Sequence, residues 1–163
     1  MSRALPSVLA QTYEKTRALI IDHGSTDGTL DAVWDPYSPA HPKVRIIRIP
    51  RTQLYPPTAE NHWLVGPVEP LNVGLSYCKS TWIARMDDDD VLLPDHIEKQ
   101  VQFAKTCGYE FVSAAHVAAG RKVRPYIMGD APRVSRCDAR VGGCQTWLYR
   151  SYLKCFRYNP DAW

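Results

Sequence analysis

The stretch Trp82-Ile83-Ala84-Arg85-Met86-Asp87-Asp88-Asp89-Asp90 decides the fold. Residues 81–86 read as a short strand that stops abruptly at four consecutive carboxylates. A second stretch has the same design. Arg17-Ala18-Leu19-Ile20-Ile21 reads as a buried strand, stopped by Asp22-His23-Gly24-Ser25. Each strand therefore carries polar, chemistry-bearing residues at its carboxyl end.

Working outward, helical and extended patterns alternate. Residues 3–12 predict a helix with Leu5, Val8 and Leu9 on one side. A helix is expected over 26–34, with Asp27 and Asp31 near its start and Asp35-Pro36-Tyr37-Ser38-Pro39 breaking it. Val44-Arg45-Ile46-Ile47-Arg48-Ile49 reads as a strand. Residues 50–67, rich in proline and aromatics, read as a long loop. Helices are expected over 68–79 and from Pro94 to about Cys107, the second with Asp95 beside its opening proline. Further strands are expected over 109–115, 122–127 and 141–149, with a short helix over 151–156. This alternation predicts a single α/β domain: a mostly parallel sheet flanked by helices. In such sheets ligands bind beyond the carboxyl ends of the strands, where both polar motifs lie.

The composition fits one globular domain. The 163 residues are 45% hydrophobic and 23% charged, and the net charge is +3. So small a surplus, with no basic stripe, argues against nucleic acid as a partner and suits an anionic substrate. No apolar run reaches the roughly 20 residues that span a bilayer, and the first residues lack a signal-peptide core. A cytoplasmic protein without a transmembrane segment is the expectation. The five cysteines form no CxxC pair, which favours reduced thiols over a disulfide or zinc framework. The histidines show no metal-ligand spacing.

The acidic run has two readings. In an extended chain, residues i and i+2 share a face, so Asp87 and Asp89 would point together while Asp88 points away. Two such carboxylates repel unless a cation lies between them. A hard cation, Mn²⁺ or Mg²⁺, takes oxygen ligands and completes its shell with substrate phosphates. The alternative is a solvated acidic turn ahead of the helix at Pro94. An EF-hand calcium loop does not fit, because no glycine follows at the sixth position. The segment Asp22-His23-Gly24-Ser25-Thr26-Asp27-Gly28-Thr29 is likewise open. Asp22 can accept from a base N–H or ribose hydroxyls, and glycine admits a close ligand. Equally, it can be a plain turn with Ser25 or Thr26 capping the next helix.

Five segments in order resemble family 2 glycosyltransferases: Ser7-Val8-Leu9-Ala10-Gln11-Thr12-Tyr13, Leu19 to Thr29, Leu71-Asn72-Val73-Gly74-Leu75, Trp82 to Asp90, and Leu93-Pro94-Asp95. The resemblance covers about residues 4–98 and extends loosely to Arg150. It implies a GT-A fold in which about 1–98 binds nucleotide and about 99–163 serves the sugar and acceptor. It implies transfer of a sugar, commonly a hexose, from a UDP- or GDP-linked donor to an acceptor hydroxyl, with inversion. Asp22, Ser25, Asn72, Asp87 and Asp88 would contact nucleotide, and Asp87 and Asp89 would hold metal. Gly142, Gly143, Trp147 and Arg150 look like the loop beside the donor sugar, although a tryptophan is more often core. The family's base is commonly an aspartate, for which Asp138 and Asp161 are the candidates.

The chain departs from the family pattern in places. His23 stands where a second aspartate is common, and Leu71 where many members carry arginine. The family's first strand has no counterpart, so another segment or a homodimer partner is expected to replace it. The incomplete ends also raise an alternative function, a GT-A-like nucleotide-binding protein without turnover. A sugar nucleotidyltransferase is disfavoured, because those enzymes usually open with a glycine-rich phosphate loop ending in Arg and Lys, and no such segment occurs here.

Overall fold

The computed structural model describes residues 3–29, 31, 41–52, 55–114 and 146–159. The elements are α1 (Ala4–Leu9), β1 (Ala18–His23), β2 (Val44–Ile49), α2 (Ala59–Val65), α3 (Val68–Tyr77), β3 (Trp82–Ala84), α4 (His96–Cys107), β4 (Phe111–Ser113) and β5 (Trp147–Arg150). A 3₁₀ helix, Ser151–Cys155, follows β5, where a short helix was expected. The strand expected at 122–127 and residues 30 and 32–34 of the helix expected at 26–34 lie outside the described residues; 26–28 are not helical, and helical backbone starts at Thr29.

The strands are arranged in two groups. β1 and β2 pair in parallel, from Ala18 opposite Val44 to His23 opposite Ile49. β5 lies between β3 and β4 and is antiparallel to both. The parallel pairing expected from the alternation is thus realised at β1 and β2, and β5 adds an antiparallel strand. The gain is burial on both faces of β5: Leu148 is 1% exposed and Tyr149 8%.

Strand alternation assigns these residues to opposite layers. Leu148 and its register partner Val112 pack with Ile97, Val101 and Ala104 of α4. Tyr149 and its partner Ile83 pack with Leu75 of α3. The neighbouring residue Gly74 faces β1, where an added Cβ would lie 3.3 Å from Ile21. Helix α3 therefore bridges the two strand groups. Burying Leu148 alone stabilises the domain by about 1.5–3 kcal/mol.

Residues 50–67 are not all loop, because α2 occupies Ala59–Val65. The Thr58 hydroxyl accepts the Asn61 N–H at 3.1 Å, an N-cap geometry, and Glu60 sits in the first turn. Pro56-Pro57-Thr58 was thus a helix start signal rather than a continuing loop. Helix α4 ends at Gly108, whose φ of +69° is cheap only for glycine.

Candidate active site

The parallel register sets Asp22 opposite Arg48 at the carboxyl ends of β1 and β2. Asp22 is 7% exposed. Its Oδ1 accepts the Ser25 N–H at 3.1 Å, and its Oδ2 lies 3.3 Å from Arg48 Nε. Arg48 also donates to the Ser25 carbonyl at 3.3 Å. Asp22 and Ser25, both read from sequence as nucleotide contacts, are therefore first of all tied to each other and to Arg48. The chain turns here through Gly24, with φ of +66°. A Cβ on Gly24 would lie 2.9 Å from the Arg51 backbone nitrogen. Asp27, rather than Ser25 or Thr26, makes the capping bond, accepting the Thr29 N–H at 3.0 Å. The bonds from Thr29 hold the Asp27 carboxyl below its ordinary range.

His23 faces a different set of partners. Its Nε2 is 3.2 Å from Glu69 Oε2 and 3.4 Å from the Thr52 N–H nitrogen. The Thr52 hydroxyl also donates to Glu69. The nitrogen stands between an acceptor and a donor. A cleft of about 270 Å³ opens beside it, lined by His23, Arg51, Tyr55, Gly66, Pro67 and Pro70. An aromatic ring, two prolines, a histidine and a guanidinium make a wall suited to a flat, polar-edged ligand.

The acidic run at the end of β3 is a turn. The Asp90 N–H reaches the Asp87 carbonyl at 3.3 Å. This corrects the extended geometry that would have set Asp87 and Asp89 on one face. Turning carries the charges of Asp88 and Asp89 toward solvent, and aspartate favours such turns. Asp88 and Asp89 are exposed. Asp87 is half-buried, and its Oδ1 meets Arg85 NH2 at 2.9 Å. Among the described residues, no three His, Cys, Asp or Glu side chains converge as a metal cage. The donor set nevertheless fits Mg²⁺ or Mn²⁺, which bind through one or two carboxylates together with substrate phosphates.

Asn72, a third nucleotide candidate, is engaged elsewhere. Its Nδ2 donates to the Tyr158 carbonyl at 2.9 Å, and its Oδ1 accepts the Tyr158 N–H at 2.9 Å. Arg157 donates to the Asn72 carbonyl. Asn72 thus clasps the segment after the 3₁₀ helix onto α3. Trp147 and Arg150 stand at opposite-parity positions of β5 and point to opposite faces of the sheet. Trp147 meets Phe111 edge-on at 5.3 Å, and Arg150 lies 5.0 Å over Trp82. The strand therefore does not bring these two sugar-side candidates together. Asp138, Asp161, Gly142 and Gly143 lie outside the described residues. Sequence reading missed Arg48, Glu69 and Arg85. The positions of Arg48 and Glu69 follow from strand register and helix docking, while Arg85 has a local signal, two residues before Asp87.

The model for Glycosyl transferase family 2 matches residues 1–159. An uncharacterized glycosyltransferase of Haemophilus influenzae is 31% identical over 63% of this chain and 28% of its own length. The succinoglycan biosynthesis protein ExoO of Rhizobium meliloti is 28% identical over 81% of this chain and 34% of its length. A chondroitin synthase of Escherichia coli is 31% identical over 59% of this chain and 12% of its length. The chain thus spans well under half of these relatives. The crystal structure of S. aureus TarS 1-349 superposes with a TM-score of 0.77 at 18% identity, covering 98% of this chain and 46% of that one. That likeness establishes the GT-A architecture. Among the described residues no helix is long and apolar enough to cross a membrane. With the family model matching nearly its whole length, the chain belongs to glycosyl transferase family 2.

Proposed function

We propose that the chain transfers a sugar from a nucleoside-diphosphate donor to an acceptor hydroxyl, with inversion at the anomeric carbon. The observation that carries this reading is positional. Two polar motifs stand at the carboxyl ends of β1 and β3, in a chain of the glycosyltransferase family. The nucleobase and ribose belong at the end of β1, in the cleft beside His23, Arg51 and Tyr55. Asp22 keeps the floor of that site rigid through Ser25 and Arg48. Asp87 and Asp89 would hold Mn²⁺ or Mg²⁺, which when bound neutralises the charge growing on the departing diphosphate.

The acceptor oxygen attacks the anomeric carbon as the bond to the diphosphate oxygen breaks. Its proton passes to an aspartate base, for which Asp138 and Asp161 are the candidates. The division into a nucleotide part over about 1–98 and a sugar-side part over about 99–163 belongs to the same proposal. The relatives named for chondroitin and succinoglycan support a growing saccharide as acceptor.

Calorimetric titration of UDP and of GDP, each with Mn²⁺ and with EDTA, tests the reading on wild type and Asp89→Ala. Metal-dependent binding of one nucleotide, lost in the variant, is the expected result. Binding of neither nucleotide by the wild type would overturn it.

A further inference from the structure

Arg85 touches both the acidic turn and the clasped segment. It is held at the end of β3, and its side chain is only 13% exposed. On one side its guanidinium meets Asp87 at 2.9 Å. On the other it lies 5.8 Å over the ring of Tyr158. Tyr158 is itself fixed, through both backbone groups, to the side chain of Asn72. The positive charge beside Asp87 is therefore anchored from two directions and is not free to swing into solvent. Asp89, by contrast, is exposed and has no ion pair or hydrogen bond among the described residues.

We propose that Arg85 is a resident counter-cation of the acidic turn, which makes the turn selective for a divalent cation carried together with a diphosphate over the free ion. The inference rests on the reading of Asp87 and Asp89 as cation ligands. A free divalent ion arriving at Asp87 meets a carboxylate already neutralised by a guanidinium that repels the newcomer. A diphosphate adds negative charge that compensates both the ion and the guanidinium. Loading then favours the pair. Arg85 acts on the cation through Asp87 and through its field, so it is a positioning residue. The consequence is a turn that stays closed to stray cations until donor is present.

The test reads cation affinity, not turnover. Free Mn²⁺ is titrated by electron paramagnetic resonance against wild type, Arg85→Met, Arg85→Lys and Asp89→Ala. In parallel, UDP and GDP are titrated calorimetrically with Mn²⁺ and with EDTA. By reciprocity, the factor by which Mn²⁺ tightens nucleotide equals the factor by which nucleotide tightens Mn²⁺. Wild type is expected to bind free Mn²⁺ weakly and to show a coupling factor of at least ten. Arg85→Met is expected to bind free Mn²⁺ about ten-fold more tightly and to lose most of the coupling. Arg85→Lys, which keeps the charge, is expected to stay within about two-fold of wild type.

A merely structural arginine would give the opposite sign, weaker Mn²⁺ binding on removal. Mn²⁺ binding that disappears in Asp89→Ala but does not tighten in Arg85→Met overturns the proposal and leaves the cation reading standing. Mn²⁺ binding that survives Asp89→Ala, or that is absent with and without nucleotide, overturns both. Should Arg85→Met fail to fold, the wild-type coupling decides alone. A factor near one overturns the proposal.

Discussion

Gln11 Oε1 accepts the backbone N–H of Ile97 at 2.9 Å, across 86 residues of sequence. The same side chain donates through Nε2 to the Leu93 carbonyl at 2.7 Å and to the Ser7 carbonyl at 3.1 Å. One buried amide thereby joins the segment after α1 to the first turn of α4. It also does work that Asp95 does not. Asp95 occupies the N-cap position but makes no side-chain cap and pairs with Lys99 instead. The chain between the acidic turn and α4 is thus held from the amino-terminal side.

Replacing Gln11 by leucine keeps the volume and removes every one of these bonds. The buried Ile97 N–H then loses its partner, while the Leu93 carbonyl keeps the His96 N–H at 3.0 Å. Unsatisfied buried groups cost about 1–3 kcal/mol each. We expect Gln11→Leu to lower stability by about 1–3 kcal/mol, read as a fall in the urea midpoint at unchanged slope. A midpoint within error of wild type would mean water satisfies the freed groups.

Gly24 sits in the left-handed region beside Arg51. Alanine there suffers the conformational cost and a Cβ contact with backbone, which cannot move aside cheaply. Gly24→Ala is expected to destabilise by about 1–3 kcal/mol and to disturb the His23 cleft. Gly28 also has a positive φ, of 79°, but open space around its Cα. Gly28→Ala should therefore cost less than Gly24→Ala when both are compared by thermal melting.

Burial pushes the His96 pKa below its ordinary value, against the opposing pull of Asp95. The folded state therefore binds the proton less readily than the unfolded chain does. Stability is complete above the unfolded value of 6.5 and is lost as pH falls from there toward the lower folded value. Melting temperature is expected to drop between about pH 7.5 and 5.5, and His96→Gln to flatten that slope. An unchanged slope in the variant would assign the acid sensitivity to another group.

The Asn72 clasp offers a local readout. Asn72→Leu removes both bonds to Tyr158 and lies outside the core that packs on α4. Hydrogen exchange at the Tyr158 amide should accelerate by at least ten-fold, while exchange in the core of α4 stays as in wild type. Equal acceleration in both places would mean the clasp supports the whole domain rather than one segment.

Much of this was legible in the chain itself. Apolar runs at 18–21 and 44–49 marked β1 and β2, and the shift to helical spacing marked α3 and α4. Abrupt stops at Asp22 and Asp87 marked where the polar chemistry lies. Local propensity and periodicity are properties of neighbouring residues, so sequence carries them directly. It also held the start signal at Pro56-Pro57-Thr58 that betrays α2.

Pairing across the fold was not legible, because it depends on register and on which layers meet. The parallel register of β1 and β2 sets Arg48 beside Asp22. The docking of α3 brings Glu69 to His23 and Asn72 to Tyr158. The turn at 87–90 gives Asp87 to Arg85, where an extended strand would have aimed it alongside Asp89. Sequence alone determined which residues could do chemistry and at which strand ends they stand. Tertiary structure decided what holds them, because a charge buried on folding must find its partner among groups that only folding brings near.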